Sequence, residues 1–117
     1  MTKEELENRL IDFSVLIIDI SENLKNSRAG NYFAGQIVRS GSSPALNYGE
    51  AQAAESKKDF IHKMKICLKE LRETFVALKI IDRSKLHHEY PHIADAMKES
   101  DELISIFVAS VNTAESH

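Results

Sequence analysis

Four metal-type donors, His87, His88, Glu89 and His92, fall within six residues of one another. Neutral imidazoles and a carboxylate at short range are the donor set of a zinc or nickel site. They lie in a connecting segment with no cysteine nearby, and an exposed polar loop explains them without a metal. Cys67 is the one cysteine, so no internal disulfide can form. Its place on the inward stripe of a helix makes it a small inert apolar group rather than a nucleophile. Glu70 and Glu73 are three apart and can meet on one helix face. A di-metal bundle, however, needs inward Glu-x-x-His motifs on two helices, and no two helices carry them. No Ser–His–acid or Cys–His pairing has local support. The sequence therefore assigns no catalytic residue, no metal and no cofactor, and predicts a protein that is not an enzyme.

Charge supplies a sharper feature. The chain has a formal net charge of −3, which disfavours a generic nucleic-acid binder. The distribution is uneven: residues 57–85 carry nine basic and four acidic side chains, whereas residues 86–117 carry one and six. At 100° per residue, Lys58, His62, Lys65, Lys69, Arg72, Lys79 and Arg83 share one arc of a single helix. A solvated face, or one neutralised by the acidic first and fourth helices, is the plain reading. A phosphate-contacting face, repeated around an oligomer, is the functional one.

The elements that position these groups are helical. The spacing of Leu6, Leu10, Phe13, Ile17, Ile20 and Leu24 predicts a helix over 3–26 capped by Thr2, with Gly30 as a stop in the turn that follows. Ile11, Val15, Leu16 and Ile18 widen its stripe beyond a single seam. A second helix is expected from Asn31 or Tyr32 to about Ala54, kinked or broken near 40–44 by Ser-Gly-Ser-Ser-Pro. That stretch lacks GxxxxGK[ST], and Pro44 removes an amide, so a bend with small residues for close approach is preferred over a phosphate cradle. Ser56 caps a third helix whose inner stripe is Phe60, Met64, Cys67, Leu71, Phe75, Leu78 and Ile81, with Leu68 beside it. A fourth is expected over about 91–114, with Pro91 in its first turn and Asn112 to His117 frayed.

Bulk composition agrees. A chain of 117 residues makes one domain, and four glycines and two prolines disfavour a turn-rich all-β fold. The apolar run at 15–18 is too short to span a bilayer, and the charged N-terminus lacks an apolar signal core. A cytoplasmic location, away from membranes, is expected.

From Arg39 to Thr74 the sequence resembles a known family. The resemblance rests on Gln36, Arg39-Ser40-Gly41, Ser43, Asn47, Glu50-Ala51, Ser56, Asp59-Phe60-Ile61, Lys69-Glu70 and Arg72-Glu73-Thr74. These are the small bacterial four-helix bundle proteins first described as products of intervening sequences in large-subunit ribosomal RNA genes. Pro44-Ala45-Leu46 stands where many members carry Ile-Gly-Ala. The resemblance implies a ring-like homopentamer, no enzymatic activity, and Arg39, Asn47 and Glu50 as hydrogen-bonded polar organisers near the bend. It also implies similarity to the accessory subunit of diversity-generating retroelements, a basic pentamer that binds a reverse transcriptase and nucleic acid.

The expectation is an all-α, up-down-up-down antiparallel four-helix bundle that associates with itself. Stripes on helices one, three and four are wider than a lone bundle needs, with Ile11, Ile18, Leu68 and Ile106 as residues for a second copy to cover. Nucleic acid, through Lys58, Lys65, Lys69, Arg72, Lys79 and Arg83, is the alternative partner; another protein is a third.

Overall fold

The computed structural model describes residues 1–88 and 92–117, so Glu89 and Pro91 lie outside the described residues. Four helices follow in order: α1 (Lys3–Glu22), α2 (Arg28–Gln52), α3 (Lys57–Arg83) and α4 (His92–Ser116). Each packs on its neighbour in sequence, and α1 closes on α4 to complete an up-down-up-down bundle about 46 Å long. Leu10, Phe13, Ile17, Ile37, Leu71, Leu78, Ile81, Leu103 and Phe107 fill the core between them.

Three helix starts are fixed by hydroxyl caps. Thr2 Oγ1 accepts from Glu5 N at 3.1 Å, Ser27 Oγ from Gly30 N at 3.0 Å, and Ser56 Oγ from Asp59 N at 3.0 Å. The Ser27 cap starts α2 three residues earlier than its apolar pattern implies. Gly30 is therefore not a stop but a residue of the first turn, and its role is steric. A Cβ at Gly30 would fall 1.9 Å from the Lys25 carbonyl oxygen, so only glycine lets α2 begin against the preceding turn. At the other terminus, α4 remains helical to Ser116, whose Oγ donates to the Asn112 carbonyl at 2.7 Å. The expected fraying from Asn112 is thus absent, since Val111 anchors this last stretch in the core.

The helical path of α2 is unbroken through Ser40, Gly41 and Pro44, all three of them buried. Of the kink or break expected there, the break does not occur, because both neighbouring helices hold the segment. Ser14 Oγ of α1 is 3.2 Å from the Gly41 carbonyl, and the Cys67 thiol of α3 is 3.4 Å from the Pro44 carbonyl. Tertiary contact here overrides local propensity. The small residues do permit close approach: a Cβ on Gly41 would lie 2.7 Å from the Ile17 side chain.

The inner stripe of α3 differs from its sequence reading at Phe75, while Phe60 near its start is only partly buried. Thr74, not Phe75, occupies the buried position, and Phe75 lies half-buried under the Lys79 ammonium, 4.1 Å from its ring centre. Thr74 Oγ1 is 2.8 Å from both Ser40 Oγ and the Glu70 carbonyl, so its hydroxyl is satisfied inside the core.

Candidate interaction surfaces

The side chains with chemical potential are scattered rather than convergent. His87 Nε2 lies 3.0 Å from Asp82 Oδ1, His88 is exposed, and His92 Nδ1 lies 3.6 Å from Asp95 on its own helix. Glu89, the fourth donor of that sequence cluster, is outside the described residues. Among the described residues, no three His, Cys, Asp or Glu side chains come together as a metal site would require. Cys67 is fully buried, and desolvation pushes its thiol up to about 12.

This predicts that native protein at pH 8 resists an aromatic disulfide reagent until it unfolds. Labelling should follow the unfolding rate, and prompt labelling of folded protein would contradict it. The thiol is neutral in both states below about pH 8.5, so it contributes nothing to pH dependence there. Above that the unfolded chain loses a proton which the folded chain keeps to about 12, and stability falls as pH rises through that window.

A polar seam joins α2 to α3. Arg39 donates to Glu70 Oε2 at 3.1 Å and to Glu73 Oε1 at 2.5 Å, and Gln36 Nε2 also donates to Glu73. Glu70 is buried, so Arg39 serves as the cation that makes its burial tolerable. The other two polar family positions behave differently. Asn47 bonds only within its own helix, to the Ser43 carbonyl and hydroxyl, and Glu50 is 3.7 Å from Lys63. The resemblance assigned a role to Arg39 but none to Ser40 and Thr74, although both are among its matching residues; their signal was two small hydroxyl residues at core-facing positions. The α1–α4 seam carries a second ion cluster, also unforeseen: Arg9 binds Glu99 through two nitrogens at 2.7 and 2.8 Å and reaches Glu102 at 3.1 Å. The hydrogen bond to Glu99 raises the Arg9 guanidinium above its usual value.

The basic arc of α3 faces outward. Lys65 pairs with Glu115 at 3.4 Å, and Lys79 sits on Phe75. Lys58, Lys69, Arg72 and Arg83 are exposed and make no ion pair among the described residues. The acidic helices thus neutralise little of this face.

Two apolar surfaces are uncovered. On α1, Ile11, Val15 and Ile18 form one exposed row, with Val15 59% accessible. Between α2 and α3, Tyr32, Val76 and Ile80 line an open groove with Phe33 and Ala77 at its floor. Leu68 and Ile106, also expected to await a second copy, are instead half-buried against the core, because α3 and α4 pack closely enough to cover them.

Fold and surface together define a small antiparallel four-helix bundle that exposes apolar rows and a charged face in place of an enclosed polar pocket. The chain belongs to the 23S rRNA-intervening sequence protein family, which it matches over residues 3–109. It is similar to a crystal structure of a protein of unknown function from the S23 ribosomal protein family of Bacteroides thetaiotaomicron. The two share 28% sequence identity and superpose with a TM-score of 0.85, over 96% of this chain and 99% of the other. Comparison with curated proteins gives no match. No described helix is long and apolar enough to cross a membrane.

Proposed function

We propose that the protein is a non-catalytic, cytoplasmic, homo-oligomeric bundle that serves as an assembly module. One observation carries this reading: Ile11, Val15 and Ile18 stand in an exposed row on α1. Three β-branched aliphatic residues at helical spacing form a contiguous patch, and such patches mark association surfaces on soluble proteins. The family resemblance implies a ring of five. Sedimentation velocity at micromolar concentration should give a mass several times the 13.2 kDa of one chain. A one-chain mass at that concentration would refute self-association.

A second reading is an RNA- or DNA-binding accessory protein. Its support is the set Lys58, Lys69, Arg72 and Arg83, cations on one helix face without an intramolecular ion pair among the described residues. Repetition in an oligomer would multiply that face although each chain is acidic overall. If the reading holds, affinity for RNA falls steeply with salt. The triple reversal Lys65→Glu, Lys69→Glu, Arg72→Glu then flattens that slope by about one unit per lost phosphate contact. Unaltered heparin retention after the reversal would count against it.

A further inference from the structure

The two uncovered surfaces differ in the charges that border them. On α1 the row runs Glu7, Ile11, Val15, Ile18, Glu22, at intervals of four, four, three and four residues. Asp12 lies on its outer edge, and none of Glu7, Asp12 and Glu22 forms an ion pair among the described residues. On α3 the equivalent sequence is Lys69, Arg72, Val76, Ile80, Arg83, with Tyr32 of α2 across the groove. One surface is therefore aliphatic with acidic ends, and the other is apolar with basic ends, the carboxylate in its lining, Glu73, being paired with Arg39. Their lengths also agree. At 1.5 Å per residue, Glu7 to Glu22 spans about 22 Å and Lys69 to Arg83 about 21 Å.

The two surfaces share no residue and lie on different helices, so one copy can use both at once. Pairing either surface with itself would set like charges against each other at both ends. Pairing one with the other satisfies apolar burial and charge together. We propose that the α1 row of one copy seats in the α2–α3 groove of the next, a head-to-tail contact that builds a closed ring or a chain of copies, not a two-fold dimer. This rests on the self-association reading above and specifies which surfaces meet.

Val15→Glu disables the row and Val76→Glu disables the groove. Both positions are exposed, and unchanged thermal melting by circular dichroism verifies that each variant folds. Each variant alone should sediment at the mass of one chain. Mixed in equal amounts, they should form a species of exactly two chains, because one intact row and one intact groove remain. If wild type is oligomeric but the mixture stays at one-chain mass, or either variant alone keeps the wild-type mass, the pairing is overturned. A wild type of one-chain mass instead refutes self-association itself. Arg72→Glu supplies an independent arm and should weaken assembly at least tenfold. Wild-type mass with loss of RNA binding would assign the basic face to nucleic acid and overturn the pairing.

Discussion

Replacing Gly41 with alanine should lower the stability of the bundle, because forcing an extra methyl into a packed core costs about 1–3 kcal/mol. The new Cβ would lie 2.7, 2.9 and 3.0 Å from three atoms of Ile17, which is fully buried. Gly30→Ala should do at least as much harm. Its Cβ would meet a backbone carbonyl, that of Lys25, at 1.9 Å, and the turn would have to move away from α2. In both cases the intrinsic helix gain of alanine over glycine, roughly 1 kcal/mol, opposes the clash and reduces the net loss. Gly35 and Gly49 provide the control. They sit in the same helix with nothing within 4 Å of the added carbon, so alanine there should stabilise by about 0.5–1 kcal/mol. Chemical denaturation of the four variants checks this directly. Stabilisation by all four changes would show that propensity rather than packing governs α2.

Loss of Arg39 should have the second large effect. Arg39→Ala leaves the Glu70 carboxylate buried against α2 without its cation, and a buried acceptor deprived of its partner costs about 1–3 kcal/mol. Arg39 itself is half exposed to water, which keeps the loss below that of a fully enclosed ion pair. The companion measurement is the double variant Arg39→Ala, Glu70→Leu, which removes the charge as well as its partner. It should recover most of the lost stability, since an apolar replacement of a buried pair is often neutral or better. A double variant no more stable than Arg39→Ala would mean that Arg39 acts through Glu73 and Gln36 alone.

The legible parts of this molecule were those written in helical periodicity. Leu6, Leu10, Phe13, Ile17 and Ile20 repeat at three and four residues, and all are buried. Ser56 and Thr2 precede apolar runs as caps should, and they cap. Local reading failed where a distant segment decides the outcome. Pro44 and its glycine and serine neighbours have poor helix propensity, yet Ile17, Ser14 and Cys67 hold them helical from either side. Phe75 fell on the periodic inner stripe of α3, but Thr74 takes the buried place, where its hydroxyl finds Ser40 across the interface. Which wide apolar stripe ends up covered was equally hidden: Leu68 is packed and Ile18 is open, although both sit beside an inner stripe. That difference depends on how tightly each pair of helices closes, and no single helix encodes it.

At one end of the bundle the Lys25 amide donates to the Leu86 carbonyl at 2.8 Å, and Leu24 pairs with His87 in a short antiparallel bridge. These residues belong to the two loops that close the first and second helical hairpins. The hairpins are thus buckled to each other there, while at the far end the chain itself joins them through the short passage between Gln52 and Lys57, beside the Glu50–Lys63 ion pair. Exchange of a hairpin between copies would have to undo that buckle first, so the two hairpins are held as one unit by more than the helix packing between them.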